Sequence, residues 1–356
     1  MNNVEAWEQQ KQHLRREFRR ILGDFPERTS VRFEVLDKKI EFSEVQRKFI
    51  NYAGRQVFED NYICPDEQPD NPTYRRLHIR YPSAVEGQPV YAFLRIPKGL
   101  KAKVPAALVL HGHVPGSFFG KQFVDVAAIE LTKRGFVTLA PDMFPFGERR
   151  DLTWEEFDWE NGRGSSHFWG ERNWFMSLLL RGQTLLGLHV WELQRAIDIL
   201  QSLDEVDATR IGSLGHSGGG VNTLWLAALD ERVAAAVSSA GVQSYAELAE
   251  RRIPTAVWSF APILTVGDAH DLVGLVAPRP FLGVESIHDR FGFDGGYNRE
   301  HVYPKARALY ELYGAGEKLA QHVYEGDHDY HAAQRKVMIA WLERWLMPHS
   351  SNRSIR

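Results

Sequence analysis

Apolar residues in the first stretch of the chain recur at helical spacing. Trp7, Leu14, Phe18 and Leu22 share one face and predict an amphipathic helix over residues 5–22. Lys11, Arg15, Arg16, Arg19 and Arg20 make another face basic. It reads as a solvated face, because Glu5, Glu8 and Glu17 dilute its charge. Residues 31–42 alternate like short strands. Residues 61–73, rich in Asn, Asp and Pro, read as a loop and a domain boundary.

From Tyr74 the pattern changes. Tyr74–Tyr81 and Pro89–Ile96 have strand character and are followed by Pro97 and Gly99. Strands then alternate with helices: strand 106–110, helix 123–134 closed by Gly135, strand 136–140, helix 184–203, strand 210–214 and helix 218–229. Strands 233–239 and 280–285, helix 299–313 stopped by Gly314, strand 319–324 and helix 332–346 complete the series. Such β–α alternation predicts a mostly parallel central sheet flanked by helices on both faces. The expected organisation is an N-terminal helical and strand extension (1–73), an α/β domain (74–347) and a C-terminal tail (348–356). No internal repeat and no low-complexity tract interrupts it.

One interval breaks the rhythm. Residues 144–183 separate a strand from its helix and carry Trp154, Trp159, Trp169 and Trp174 with Phe157 and Phe168. An insertion this long in a compact domain is expected to be functional or to hold structure of its own. Its place in the chain puts it over the carboxyl edge of the sheet, as one wall of a substrate pocket. Packing of a cap explains its tryptophans more readily than sugar stacking does.

Charge narrows the range of partners. Lys and Arg number 43 against 46 Asp and Glu, a net charge of -3, which gives no sign of a nucleic-acid partner. The single cysteine, Cys64, allows no intramolecular disulfide, so a reducing compartment suits the chain. No apolar run approaches the roughly 18 residues of a membrane helix, and residues 1–8 lack the apolar core of a signal peptide. The expectation is a cytoplasmic protein with no membrane or nucleic-acid partner; a homo-oligomer is compatible with it.

Gly215-His216-Ser217-Gly218-Gly219 matches G-x-S-x-G. Alone the match is weak, but a strand precedes it and a helix follows, which is the strand–turn–helix that presents a nucleophile above a sheet. A serine hydroxyl needs a base, and the base must follow the last strand. His328 does so, with His322 inside the strand and His331 beyond the loop as alternatives. The oxyanion needs two backbone N–H donors: Gly218, next to the nucleophile, and His113, in the loop after strand 106–110. His111, His113, His328 and His331 as metal ligands form the minority reading, with no dedicated ligand motif behind it. For the acid, Glu285, Asp289 and Asp294 all lie near the end of strand 280–285.

The strand before His111-Gly112-His113, the run Ala140-Pro141-Asp142-Met143-Phe144-Pro145-Phe146-Gly147-Glu148-Arg149, the helix ending Arg195-Ala196-Ile197-Asp198, Val206-Asp207-Ala208-Thr209-Arg210-Ile211-Gly212, the elbow and the closing histidine form a set. Over roughly residues 75–347 they resemble the dienelactone-hydrolase-like and acetyl-xylan-esterase-like branch of the α/β-hydrolases. The resemblance implies the α/β-hydrolase fold, a Ser217–His328–Asp289 triad, and oxyanion donors at Gly218 and His113. It puts the aspartate about four residues past the strand, where Asp289 stands.

The chain also departs from its relatives. Dienelactone hydrolases proper carry a cysteine nucleophile. Arg181-Gly182-Gln183 sits at the end of the insertion rather than after an early strand, as it does in carbohydrate deacetylases of the cephalosporin-acting type. Asp329 stands where those enzymes have Glu.

The expected activity is hydrolysis of small carboxylic esters with short acyl groups, acetylated carbohydrates among them, with no metal or organic cofactor. A peptidase on the same triad is the runner-up, although residues 1–73 are too few for a propeller. A non-catalytic binding protein on this fold is the third reading.

Overall fold

The computed structural model describes residues 3–37, 46–47, 59–64, 67–113, 119–150, 167–251, 260 and 262–348, excepting the side chains of 167–169. Its strands, in chain order, are β1 (Glu34–Val35), β2 (Tyr74–Tyr81), β3 (Val90–Pro97), β4 (Val104–Leu110) and β5 (Val137–Pro141). They continue as β6 (Val206–His216), β7 (Val233–Ser239), β8 (Phe281–Ser286) and β9 (Leu319–Tyr324). Among the described residues they form one sheet in the order β1-β2-β3-β5-β4-β6-β7-β8-β9. β1, β2, β3 and β5 pair antiparallel; from β5 through β9 the sheet is parallel.

The helices that connect and cover these strands include α1 (Val4–Leu22), α2 (Asp125–Lys133), α3 (His167–Leu179), α4 (Leu185–Ser202), α5 (Gly218–Leu229), α6 (Tyr245–Arg251), α7 (Ala269–Val276), α8 (Gly295–His301), α9 (Tyr303–Glu311) and α10 (Ala332–Leu346). Strand alternation divides the core in two. In β4, Ala106, Leu108 and Leu110 enter the layer beneath α1, α4, α5, α7 and α9, while Ala107 and Val109 enter the layer beneath α2 and α10. This is the α/β-hydrolase fold.

The basic residues of α1 are only in part the solvated face its sequence suggests: Arg16, Arg19 and Arg20 are exposed. Lys11 and Arg15 are buried, and their donors reach backbone carbonyls. Lys11 Nζ bonds the Ala277 oxygen at 2.7 Å; Arg15 Nε and Nη2 bond the Ala228 and Leu275 oxygens at 3.0 Å each; Arg19 Nη2 bonds the Leu229 oxygen at 2.7 Å. These are carbonyls at the C-terminal ends of α5 and α7, which lack partners within their helices and carry the negative end of the dipole. The same face of α1 carries Trp7, Leu14, Phe18 and Leu22 into the main core, where Phe18 meets Trp225 edge-on at 5.2 Å.

Four other segments differ from expectation. The helix read over 299–313 is two, α8 and α9, because Pro304 has no N–H to continue a ladder and sits in the first turn of α9. Residues 31–42 contribute only β1 among the described residues. α6 and α7 escape a periodicity reading because they are short; α7 is announced instead by a capping box from Asp268 and Asp271.

Candidate active site

Ser217 occupies the turn between β6 and α5 with φ 58° and ψ −125°. A non-glycine residue holds such a conformation only where its surroundings impose it. The imposition here is close packing. The Ser217 N–H bonds the Ser239 oxygen on the neighbouring strand at 2.8 Å. A Cβ on Gly219 would lie 2.1 Å from the Leu110 oxygen, and one on Gly112 would lie 2.7 Å from Ser217 Cβ and 3.0 Å from the Gly218 nitrogen. Glycine at 219 lets α5 start directly against β4. Glycine at 112 lets the loop after β4 approach the serine and the first N–H of α5.

His328 stands in the loop after β9. Its Nδ1 lies 2.6 Å from Asp289 Oδ2, with the carboxylate sealed from solvent and the imidazole largely so. An ionised carboxylate only accepts, so Nδ1 carries the proton and Nε2 is left as the acceptor. Asp289 Oδ1 takes the Phe291 N–H at 2.8 Å. The loops bearing the two residues are tied to each other. Ser286 Oγ donates to the Gly326 oxygen, and Arg290 pairs with Asp327 through its guanidinium and, at 3.0 Å, its backbone N–H.

Three rings bound the imidazole: Phe291 edge-on at 4.8 Å, Phe293 at 5.6 Å and His216 at 4.8 Å. His216 is the residue before Ser217, so this contact brings the histidine loop to the elbow. Burial holds His216 well below the usual imidazole range, so it packs as a neutral ring. Among the described residues no hydrogen bond joins Ser217 Oγ to His328.

The other candidates have other employment. Glu285 is fully buried at the end of β8, where Tyr303 OH donates to one oxygen at 3.0 Å and Gln321 Nε2 to the other at 2.5 Å. Burial pushes its pKa up to about 7. Asp294 caps α8, taking the Tyr297 N–H at 2.9 Å. His331 caps α10, and the ring of His322 lies 6.4 Å from that of Tyr324. His111 accepts the Met143 N–H on Nε2 at 2.9 Å and donates from Nδ1 to the Gly112 oxygen at 2.8 Å, with its pKa held near about 4 by burial. Both of its ring nitrogens are spent on shaping the loop. Among the described residues no group of three or more His, Cys, Asp or Glu side chains is placed to hold a metal.

Gly218 opens α5, and His113 follows Gly112 in the loop after β4. The His113 ring meets Phe146 edge-on at 5.7 Å, and its Nε2 lies 2.7 Å from Glu171 Oε2 on α3. The insertion therefore does reach the carboxyl edge of the sheet. Within it, Trp174 packs edge-on against Phe144 at 4.8 Å and against the core. Trp154, Trp159 and Phe157, and the side chains of Trp169 and Phe168, lie outside what the structure describes.

Sequence reasoning missed the fasteners that place these loops. Buried Asp142, just past β5, accepts the Lys121 N–H at 2.7 Å, Lys121 Nζ at 2.6 Å and the Glu148 N–H at 3.1 Å. Arg149 forks onto Glu192 of α4 at 2.7 and 2.6 Å. Two carboxylates facing two cations in apolar surroundings need such pairing to be buried at all. The run Ala140–Arg149 stood out in the sequence as part of the family resemblance, but nothing in it named Lys121 or Glu192 as partners.

Residues 90–272, more than half of the chain, match the model of the dienelactone hydrolase family. YtaP of Bacillus subtilis (strain 168), named as a hydrolase, is 26% identical over 312 residues, covering 82% of this chain and 98% of that protein. The solved methylesterase BT1017 is 17% identical with a TM-score of 0.61; the match takes in 97% of this chain but only 65% of that one. A glucuronoyl esterase from Solibacter usitatus is 14% identical with a TM-score of 0.64, over 96% of this chain and 93% of that one. Likeness to solved structures at such identities establishes the fold. Because the family model runs from the start of β3 into α7 and takes in the loop after β4 and the elbow, the chain belongs to the dienelactone hydrolase family.

Proposed function

We propose that the protein is a serine hydrolase of small carboxylic esters. In this reading Ser217 attacks the ester carbonyl and passes its proton to Nε2 of His328. Asp289 holds the imidazole in the required tautomer and stabilises the imidazolium. The N–H groups of Gly218 and His113 receive the negative charge that develops on the carbonyl oxygen. His328 then protonates the leaving alcohol, and water, deprotonated by the same histidine, releases the acid from the acyl-serine.

The observation that carries this reading is the His328–Asp289 pair, oriented by its own hydrogen bond and packed on the residue next to a strained serine. The names of the structural neighbours favour an ester over an amide. Short acyl groups are the expected acid part, and acetylated carbohydrates are candidate substrates. In this division of labour residues 74–347 hold the chemistry, and helix α1 of the N-terminal extension packs on their core.

The test is turnover of p-nitrophenyl acetate and of acetylated saccharides. Ser217→Ala should cut kcat on the order of 10⁶-fold. Retention of more than about a hundredth of wild-type turnover would exclude Ser217 as the nucleophile, and activity only on peptide amides would move the protein to the peptidase reading.

A further inference from the structure

Helix α3 turns one face to the core, and three of its residues are buried there: Glu171, Phe175 and Leu178. Their spacing, four and then three, is that of one apolar stripe, yet the first position is a carboxylate. Only 3% of Glu171 is exposed. A carboxylate in that position costs several kcal/mol unless a donor meets it. The donor is His113, Nε2 to Oε2 at 2.7 Å.

His113 is also the residue assigned above as the second oxyanion donor, so the inference rests on that reading. We infer that Glu171 is a positioning residue. Its carboxylate fixes the His113 ring, and through it the direction in which the His113 backbone N–H points, so that the insertion helix completes the oxyanion hole.

Three observations support the link. The ring is held on a second side by Phe146, which is itself buried. The residue before it, Gly112, lies against Ser217 and the Gly218 nitrogen, so a small rotation at 113 moves the donor relative to the reacting carbon. His111 is pinned through both ring nitrogens. Glu171 and Phe146 hold the ring of the second histidine of this loop, His113, in the same way. Hydrogen-bond donors serve an oxyanion only when they are aimed before the charge develops.

The experiment measures kcat and KM of Glu171→Ala and Glu171→Gln over p-nitrophenyl esters from acetate to hexanoate, with thermal melting to confirm folding. Glu171→Ala should lower kcat 10- to 100-fold, less than the roughly 10²–10³ for removing a donor outright. The factor should be the same for every ester, with KM within about threefold of wild type, because all esters share one oxyanion. Glu171→Gln should recover most of kcat, since its amide oxygen still accepts from Nε2–H.

A loss that varies with acyl length or falls on KM would make Glu171 part of a pocket wall and overturn the inference. So would wild-type kcat in Glu171→Ala, or a folded Glu171→Gln as slow as the alanine variant. Ser217→Ala in the same assay separates the two failures. If it keeps activity, the active-site reading falls; if it is inert while Glu171→Ala is unaffected, only this inference falls.

Discussion

Two carboxylates four residues apart end up in opposite circumstances. Glu285 is the penultimate residue of β8, closed in by Tyr303, Gln321 and Gly295, and burial lifts its pKa to about 7. Asp289 is equally sealed at its carboxylate, but it faces an imidazole and a backbone N–H, both donors. The difference teaches that burial does not decide which acid serves a histidine. The partner set does, and that is fixed by which loop crosses the strand end. Glu285 holds together a structural corner between β8, α9 and β9, whereas Asp289 is hydrogen-bonded to His328.

The sharpest break in this comparison is Asp289→Asn. It should leave the fold and melting temperature nearly unchanged and reduce kcat by roughly 10⁴, because an amide lets the imidazole adopt the wrong tautomer. Steady-state kinetics beside a melting curve decide it; a loss under about tenfold would remove Asp289 from the machinery.

Glu285→Gln should do the reverse, leaving kcat within about threefold and altering the pH dependence of stability. The folded-state pKa of Glu285 lies above its unfolded value of 4.5, so the native chain keeps a proton that the unfolded chain releases between about pH 4.5 and 7. Stability from this group is therefore full below that window and falls as pH rises through 7, by roughly 3 kcal/mol in all. Urea unfolding at a series of pH values should show that decline in the wild type and a flatter profile in Glu285→Gln. Identical profiles would mean that Glu285 is already ionised at neutral pH.

The elbow was the most legible part of the site, because its requirements are local: a strand, a serine in a G-x-S-x-G turn, and a helix. His328 was legible by its place after the last strand. The choice among Glu285, Asp289 and Asp294 was not settled by residues 281–294 alone. It depends on Tyr303, Gln321 and the N-terminus of α8, which claim two of the three. Lys11 and Arg15 were misread for a related reason. Their acceptors are carbonyls of helix ends more than 200 positions away, and no charge pattern within α1 reveals them. Glu171 carried no signal in the sequence; its burial against His113 shows only once the insertion helix is packed.

The central claim is that Ser217 is a nucleophile activated by an Asp289-oriented His328. A fluorophosphonate probe, followed by peptide mapping, tests it most directly, because phosphonylation needs an activated serine and leaves a covalent mark on the attacking residue. The account predicts stoichiometric labelling of Ser217 in the wild type, none in Ser217→Ala, and a greatly slowed rate in Asp289→Asn. Labelling that persists in Ser217→Ala, or that maps to another residue, would contradict it.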